Sequence, residues 1–329
     1  MKAIVHHGDG WNGLKLMEMD EPVPQEGQVK VRLKTAGLNH RDIWTLFRHK
    51  ADAPPVILGS DGAGVVEAVG PGVDQVKIGE EVIINPGLGW EKKSPAPPPG
   101  YQILGFPEHG TFAPYVVVPA ANVAPKPAYL SWEEAGALAL AALTAYRATF
   151  TRANIKPNQT LFLPGIGSGV ATFILQMAKA VGARVVVTSR YEDKRKKAID
   201  LGADLALDSE EDWLLALKGE QVDVVIESVG QATFNKSLSV LKPGGTMVTF
   251  GATTGDITQL DLRAFFYGQY NLLGSTMGSG EEFQEMLAFV EKHQIRPVID
   301  RQYPLDDYEE AFQRLDHGEQ FGKIVFALD

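Results

Sequence analysis

The chain has 329 residues, which is long for one domain and predicts two. With 44% hydrophobic and 22% charged residues it has a globular composition, and no stretch has the roughly 20 apolar residues of a membrane helix. A formal net charge of −10 disfavours nucleic acid and anionic membranes as partners, and the absence of cysteine excludes disulfides and thiolate sites. The N-terminus lacks the pattern of a signal peptide, so the expected location is cytoplasmic.

The first third of the chain predicts a compact, mainly antiparallel β domain. Its segment Pro86–Gly110 is too rich in proline and glycine for a helix or a central strand, and is interpreted as a surface lobe. Short runs of β-branched or alternating apolar residues, bounded by glycine and proline, predict strands at Lys2–His6, Val29–Thr35, Gly64–Val69, Glu81–Asn85 and Thr111–Pro119.

From about residue 126 the pattern changes. Ser131 and Glu134 have the spacing of a capping box before a helical run at Glu133–Phe150. Helical stretches then alternate with strands, which predicts an α/β domain with a doubly wound parallel sheet, the Rossmann fold. Its six predicted strands are Thr160–Leu163, Arg184–Thr188, Leu205–Asp208, Val222–Glu227, Thr246–Gly251 and Asn271–Ser275.

The C-terminal tail is expected to return to the first domain. It contains predicted helices at Glu281–His293 and Asp307–Leu315, followed by a strand at Lys323–Ala327. The predicted domains are therefore residues 1–125 with 278–329, and residues 126–277.

A glycine-rich turn joins the first strand of the predicted parallel sheet to a helix. Its glycines would let backbone N–H groups approach a pyrophosphate, and the helix N-terminus favours negative charge there. An ordinary strand-to-helix turn is the alternative, but the six alternations around it favour dinucleotide binding. The turn comprises Gly165, Gly167, Ser168, Gly169 and Val170, with Val170 where a strict fingerprint has its last glycine.

The end of the second strand predicts which dinucleotide is bound. An acidic residue at that position binds the ribose 2′-OH of NADH, whereas a nearby arginine suits the 2′-phosphate of NADPH. This chain has Ser189 followed by Arg190, and Lys194 lies one helical turn further on, so the prediction is NADPH. The alternative is that both cations are solvated charges at a helix start that Glu192 and Asp193 cap.

Besides the glycine-rich turn, several separate segments follow a recognisable order: Gly37–Asp42, Gly59–Val66, Leu143–Tyr146, Leu241–Gly245 and Gly322–Val325. In this order they resemble the medium-chain dehydrogenase/reductase superfamily, and the resemblance covers nearly the whole chain. It implies a GroES-like β domain plus a Rossmann domain, with an active site in the cleft between them.

The chain departs from the zinc enzymes of that superfamily at every metal position. In those enzymes a cysteine ligand occupies the position of Asn39 and a histidine ligand occupies the position of Ser60. Their third ligand, usually cysteine, lies at about the position of Leu140. The structural zinc of those enzymes needs four cysteines in the lobe, and this chain has none. Asp61 and Asp42 are oxygen donors but make a poor zinc site without imidazole or thiolate. The expectation is that no metal is bound.

The segment from Gly37 to Asp42 looks like the zinc-free branch, which includes quinone oxidoreductases, alkenal reductases and enoyl-thioester reductases. By resemblance, Asn39 would donate a hydrogen bond to a substrate carbonyl oxygen. The alternative is that the Asn39 side chain bonds the backbone of its own loop. Asp42 would either touch substrate or cap the following helix. His40 would either supply a proton or have a surface role, and Trp44, where a tyrosine is often found, would line the pocket or pack in the core.

The resemblance also implies a set of cofactor contacts in the second half of the chain. Thr144 would face the nicotinamide, and Lys323 would reach the cofactor phosphates unless it is a surface lysine. Six residues would lie beside the nicotinamide, mostly through backbone atoms: Phe250, Gly251, Ala252, Ser275, Thr276 and Met277.

The leading hypothesis is NADPH-dependent hydride transfer to a quinone or an α,β-unsaturated carbonyl. Without a metal the protein cannot easily polarise an alcohol, whereas a conjugated acceptor spreads the negative charge itself. The alternatives are an alcohol or aldehyde dehydrogenase of the same superfamily and a non-catalytic NADPH-binding sensor. The expected partners are a small-molecule substrate and a second copy of the chain, because the last sheet strand, Asn271–Ser275, leaves an apolar edge to be covered.

Overall fold

The computed structural model describes residues 1–328, which form two compact units. Unit 1 comprises Met1–Ala141 and the segment from Gly278 onward, and unit 2 comprises Ala142–Met277. The first boundary thus lies beyond the predicted residue 125. The added segment of unit 1 includes a helix, Trp132–Gly136, that packs on the strands Gln28–Leu38 and Asp61–Val69 of the same unit.

Each of the twelve predicted strands overlaps a strand of the described residues, and six further strands were not predicted. In chain order the observed strands are β1 Lys2–His6, β2 Leu14–Glu18, β3 Gln28–Leu38, β4 Val56–Ile57, β5 Asp61–Val69, β6 Glu81–Ile84, β7 Gly87–Leu88, β8 Gln102–Ile103, β9 Tyr115–Pro119, β10 Val123–Pro125, β11 Thr160–Leu163, β12 Arg184–Ser189, β13 Leu205–Asp208, β14 Val222–Glu227, β15 Leu241–Thr249, β16 Asn271–Gly274, β17 Ile299–Pro304 and β18 Lys323–Ala327.

The helices alternate with the strands in unit 2 and are sparse in unit 1. They are α1 His40–Arg48, α2 Trp132–Gly136, α3 Ala139–Tyr146, α4 Gly169–Ala180, α5 Glu192–Asp200, α6 Trp213–Ala216, α7 Phe234–Val240, α8 Leu262–Tyr267, α9 Gly280–His293 and α10 Tyr308–Asp316. None of the helices within residues 1–328 is both long and apolar enough to span a lipid bilayer.

Unit 1 is built on a seven-stranded sheet in the order β10-β6-β5-β3-β18-β17, with β9 also paired to β3. Its pairs are antiparallel except β17 with β18, so the predicted β domain is confirmed. The C-terminal strand β18 pairs with β3 and sets Ile324 opposite Leu38, so the end of the tail lies in this unit. This pairing brings Lys323 to the end of β3, where α1 begins.

Unit 2 has a six-stranded parallel sheet in the order β13-β12-β11-β14-β15-β16. This is the doubly wound order of the Rossmann fold, so the predicted α/β fold is confirmed. The inner strands β11, β12 and β14 are mainly buried apolar runs, because helices cover both faces of such a sheet. A central part of the core contains Phe162, Val186, Trp213, Val225 and Met247.

The predicted long helix at Glu133–Phe150 is interrupted. Ser131 and Glu134 form the predicted capping box, with Ser131 N donating to Glu134 Oε2 at 2.8 Å and Glu134 N to Ser131 Oγ at 3.3 Å. The short α2 then ends at Gly136, where a Cβ atom would lie 2.2 Å from Thr35 Oγ1. The close approach of β3 thus decides where the helix stops, a tertiary contact that the local pattern does not carry.

Candidate active site and dinucleotide loop

The N-terminus of α1 is held by a reciprocal cap. Asn39 stands between β3 and α1 in extended conformation, and its N–H donates to Asp42 Oδ2 at 2.8 Å. Asp42 is 1% exposed, so this carboxyl group is fixed inside the unit. Asp42 therefore lies in a capping position at the start of α1.

A buried network joins Asn39, Asp61 and Lys323. Asp61 is the first residue of β5, and its Oδ1 accepts the Leu140 N–H at 2.7 Å. Its Oδ2 accepts Asn39 Nδ2 at 3.0 Å and Lys323 Nζ at 3.1 Å. Lys323 Nζ also donates to Asn39 Oδ1 at 2.5 Å and to Leu38 O at 2.9 Å. The Lys323 ammonium and the Asp61 carboxylate are both almost completely buried, so each charge is stabilised by the other.

The side-chain N–H groups of Asn39 and Lys323, which were predicted to reach substrate and cofactor, donate within this network instead. The two amide hydrogens of Asn39 go to Asp61 and to Gly37 O, which is 3.2 Å from Nδ2. The three hydrogens of the Lys323 ammonium are likewise taken by Leu38, Asn39 and Asp61. In this structure neither side chain has an N–H left for a substrate carbonyl or a phosphate, and Lys323, 3% exposed, is not a surface lysine either.

The residues at the family's metal positions do not fit a zinc ion. Both Asp61 oxygens accept hydrogen bonds, one of them from an ammonium. Ser60 Oγ accepts from Arg41 Nη1 at 2.7 Å and donates to Leu104 O at 2.7 Å. A zinc site needs three ligands whose lone pairs face the metal, and here two cations face those lone pairs instead. Within residues 1–328, no group of three or more His, Cys, Asp or Glu side chains could hold a metal ion.

Arg41 is a candidate that the sequence interpretation missed. It is the second residue of α1, and its Nη1 donates to Leu104 O at 3.0 Å as well as to Ser60. The same nitrogen lies 3.7 Å from Asp42 Oδ1, and the side chain is 18% exposed. Burial lowers the pKa of Arg41, while the neighbouring carboxyl of Asp42 opposes that shift. The sequence signal was only its place beside Asn39.

His40 and Trp44 lie on α1 and are each partly exposed. Their ring centroids are 6.4 Å apart, so the two predicted pocket residues are neighbours. Burial lowers the pKa of His40, and the positive charge of Lys323 lowers it further. The imidazole is therefore held neutral at physiological pH, which makes it a weaker proton donor than an imidazolium ion.

The glycine-rich turn of unit 2 has the conformation that its sequence predicted. Gly165 and Gly167 have φ of 75° and 137°, a region that favours glycine. Ser168 caps α4 by accepting the Ala171 N–H at 3.1 Å. Thr188 at the end of β12 holds the turn in place, because its Oγ1 accepts the Gly165 N–H at 3.2 Å. The turn and the α4 N-terminus, with Gly169 and Val170 in its first turn, thus fit a pyrophosphate.

Glu227 is a second residue that the sequence interpretation missed. It ends β14, is 0% exposed, and its Oε1 accepts the N–H groups of Val229 at 2.7 Å and Gly230 at 3.1 Å. Its carboxylate also accepts the hydroxyls of Thr233 and Ser237. Glu227 therefore fixes the loop that follows β14. That loop faces the glycine-rich turn, because a Cβ on Gly165 would lie 2.6 Å from Val229 Cγ2.

The predicted 2′-phosphate residues come together at the end of β12. Ser189 is 5% exposed, and its Oγ accepts the Tyr191 N–H at 3.2 Å. The Arg190 guanidinium and the Lys194 ammonium lie 5.6 Å and 5.1 Å from the centroid of the Tyr191 ring. Arg190 is exposed while Lys194 is buried, so they are not two equivalent solvated charges.

The residues expected beside the nicotinamide follow the carboxyl ends of β15 and β16. Phe250 N donates to Glu227 O at 3.1 Å, and Ser275 N donates to Thr249 O at 2.8 Å. These two loops share one edge of the sheet with the glycine-rich turn, which is where such sheets bind ligands. At this edge are Phe250, Gly251, Ala252, Ser275, Thr276 and Met277, whereas Thr144 lies within α3.

Models of two protein families match the sequence. Residues 25–128 match the alcohol dehydrogenase GroES-like domain, and residues 169–292 match the zinc-binding dehydrogenase family. A zinc-type alcohol dehydrogenase-like protein of Leptosphaeria maculans, YogA, is 32% identical, covering 98% of this chain and 96% of its own length. Another protein so described, from Schizosaccharomyces pombe, is 33% identical over 100% of this chain and 99% of its own length. A crotonyl-CoA reductase of Streptomyces avermitilis is 29% identical over 94% of this chain and 81% of its own length.

The chain also resembles solved structures along its whole length. An NAD-dependent alcohol dehydrogenase is 37% identical, with a TM-score of 0.92 and coverage of 100% of both chains. A variant of the crotonyl-CoA carboxylase/reductase AntE in complex with NADP is 25% identical, with a TM-score of 0.90, covering 100% of this chain and 95% of that one.

Proposed function

The chain belongs to the medium-chain dehydrogenase/reductase superfamily, and from this premise we propose that it uses NADPH to reduce quinones or α,β-unsaturated carbonyl compounds without a metal ion. It is an oxidoreductase, as its relatives are. The observation that carries the proposal is the pair of cations at two of the metal positions, where Lys323 is bonded to Asn39 and Arg41 is bonded to Ser60.

Positive charge at these positions suits a conjugated acceptor better than an alcohol. Oxidation of an alcohol needs a Lewis acid or base that generates an alkoxide, and the residues here offer no zinc site for it. Reduction of a quinone or enone instead develops negative charge on an oxygen, which fixed positive charges stabilise. The Arg41 guanidinium needs no reorganisation to do so, because hydrogen bonds to Ser60 and Leu104 already hold it in place.

The residues of unit 2 bind and orient the cofactor. When bound, NADPH would supply the hydride that reduces the acceptor and would become NADP⁺, and a proton from solvent would complete the reduced product. The glycine-rich turn at Gly165 and Gly167 receives the pyrophosphate against the α4 N-terminus. Arg190 and Lys194 meet the 2′-phosphate, with no carboxylate at Ser189 to repel it.

Two relatives support the choice of acceptor and cofactor. The crotonyl-CoA reductase of Streptomyces avermitilis is named for an α,β-unsaturated thioester, which is one class of conjugated carbonyl. The AntE structure is a complex with NADP. The NAD-dependent alcohol dehydrogenase, at 37% identity, favours a second candidate function, oxidation of an alcohol or reduction of an aldehyde. A third candidate is a non-catalytic NADPH-binding sensor.

One panel of assays separates these candidates. NADPH oxidation is followed with crotonyl-CoA, crotonaldehyde and a naphthoquinone as acceptors, and NADP⁺ reduction with ethanol and benzyl alcohol. We expect turnover of at least one conjugated acceptor and none of the alcohols. Turnover of alcohols alone would support the second candidate, and NADPH binding without any turnover would support the sensor.

The metal-free state is tested on the same preparation. We expect elemental analysis to find far less than one zinc per chain, and prior incubation with EDTA to leave the reductase rate unchanged. About one tightly bound zinc per chain, or a rate that EDTA abolishes and zinc restores, would contradict the proposal.

A further inference from the structure

We propose that Arg41 is the residue that contacts the acceptor oxygen and stabilises the negative charge that develops on it. Arg41 takes this role in the reduction of quinones or enones, so the role rests on the proposed function. Its guanidinium is bonded to Ser60, the position at which the zinc enzymes of the superfamily carry a metal ligand. A permanent positive charge thus stands where a Lewis acid would act.

The guanidinium is anchored by one nitrogen only. Nη1 donates to Ser60 Oγ at 2.7 Å and to Leu104 O at 3.0 Å, which uses both of its hydrogens. The remaining N–H groups, on Nε and Nη2, donate to no acceptor among residues 1–328. A guanidinium presents its donors as a rigid planar fork, so an anchored Nη1 sets the direction of the others.

The surroundings keep the guanidinium charged and partly accessible. Ser60 is 0% exposed, so the anchor is rigid, while the Arg41 side chain is 18% exposed, so a ligand can reach it. The nearest carboxylate oxygen, Asp42 Oδ1, is 3.7 Å away and Asp42 Oδ2 is already bonded to the Asn39 N–H. The positive charge is therefore only partly neutralised by its own protein.

The other candidates of unit 1 have no comparable donor. Both amide hydrogens of Asn39 and all ammonium hydrogens of Lys323 are used inside the network. His40 is held neutral, since burial and Lys323 both lower its pKa. Arg41 therefore combines a positive charge that is only partly neutralised with unused N–H groups, beside a position at which the zinc enzymes of the superfamily carry a metal ligand.

Two experiments on Arg41→Gln test this role. The first measures kcat/KM for the best acceptor of the panel, which we expect to fall about 100- to 1,000-fold, the effect of losing one oxyanion donor. The second titrates para-nitrophenolate, a non-reacting oxyanion, into the NADP⁺ complex and follows its absorption. We expect its affinity to fall about 10- to 150-fold, as for a lost charge-assisted hydrogen bond. NADPH affinity, measured by fluorescence, should stay unchanged.

Matched variants separate contact from structure. Arg32→Gln removes an exposed arginine of β3 that pairs with Glu67, and should change neither reading. Arg41→Ala should regain acceptor reduction on addition of guanidinium ions, which a merely structural loss would not do. If Arg41→Gln does not fold, Arg41→Lys keeps the charge without the fork and should bind para-nitrophenolate about 10-fold more weakly.

The two proposals fail in different ways. A wild type that reduces none of the conjugated acceptors defeats the proposed function, but the para-nitrophenolate titration still decides whether Arg41 binds an oxyanion. Equal para-nitrophenolate affinity in wild type and Arg41→Gln, or unchanged kcat/KM, overturns the role of Arg41 even when the wild type is an active reductase.

Discussion

Asp42 is a carboxyl group that is almost shielded from water, since its side chain is 1% exposed. Burial raises its pKa from 3.8 to about 6, although Arg41 and the Asn39 N–H both lower it. Between these two values the folded protein holds a proton that the unfolded chain has released. Stability therefore falls as the pH rises through this window, by up to about 3 kcal/mol, and the loss is complete above the folded pKa.

We predict that Asp42→Asn flattens this pH dependence. The amide oxygen still accepts the Asn39 N–H, while no charge has to be buried at neutral pH. Urea unfolding midpoints measured below, within and above the window should decline with pH in the wild type and stay level in the variant. Asp52→Asn, at an exposed position in unit 1, serves as the control and should keep the wild-type slope. Parallel slopes for all three proteins would show that Asp42 is not the titrating group.

We predict that Arg190 makes NADPH bind more tightly than NADH. Its exposed guanidinium can contact the 2′-phosphate directly, and a hydrogen bond to a charged group contributes about 10- to 150-fold in affinity. Arg190→Ala should weaken NADPH binding by about that factor and leave NADH binding nearly unchanged. Ser189→Asp should also weaken NADPH binding. Fluorescence titrations of both cofactors measure this.

Lys196→Ala is the matched control for the Arg190 prediction. Lys196 is an exposed cation of α5 that pairs with Glu192, and its loss should affect neither cofactor. Equal NADH and NADPH affinity in the wild type, or an equal loss of both in Arg190→Ala, would mean that these charges are only solvated surface.

At the scale of elements, the turn between β11 and α4 depends on the loop after β14. Gly165 has φ of 75°, and a Cβ there would lie 2.6 Å from Val229 Cγ2. Glu227 accepts the Val229 N–H, so that loop cannot move away without losing this hydrogen bond. The turn at Gly165 and the loop that contains Val229 are distant in the sequence but pack against each other, so they leave no room for a side chain at residue 165.

We predict that Gly165→Ala weakens NADPH binding and lowers the melting temperature. Gly244→Ala is the control, because Gly244 has φ of 78° but no atom within 4 Å of its added Cβ. It should cost only the backbone strain, roughly 1–2 kcal/mol, and leave NADPH binding intact. Adding Val229→Ala to Gly165→Ala should restore part of both losses. Equal effects of the two glycine variants would show that the contact with Val229 does not matter.

At the scale of the molecule, unit 2 leaves an apolar face uncovered. The strand β16 lies at the edge of the parallel sheet, and Leu272 within it is 37% exposed. On the preceding helix α8, Leu262, Phe266 and Tyr267 are 68%, 53% and 72% exposed. An unpaired strand edge beside large exposed apolar side chains is a surface that proteins cover by association.

We predict that two copies of the chain pair through this face. Light scattering at micromolar concentration should give twice the mass of one chain for the wild type. Phe266→Glu should shift the mass toward the monomer, because it places a charge on the apolar face. Leu215→Glu changes a residue that is 76% exposed on α6, away from β16 in the chain, and should leave the dimer intact. A monomeric wild type would rule out this interface.

Periodic patterns and turn residues in the sequence determined the two folds. Strands β1, β11, β13, β14 and β18 have the predicted bounds, because alternating or β-branched apolar runs between turn residues are strong local signals. The glycine-rich turn was equally readable, since positive φ at Gly165 and Gly167 requires glycine. The absence of cysteine, and therefore of thiolate ligands, was also visible in the composition alone.

Only the tertiary structure decided what the polar residues of unit 1 do. The pairing of β18 with β3 places Lys323 against Asn39 and Asp61, which are more than two hundred residues away in the chain. That contact occupies the side-chain N–H groups of Asn39 and Lys323, which were two predicted donors. Arg41, in contrast, keeps unused N–H groups. Hydrogen-bond saturation depends on which side chains meet in space, and no periodicity along the chain reports it. Local patterns thus determined the elements, whereas long-range pairing decided the chemistry.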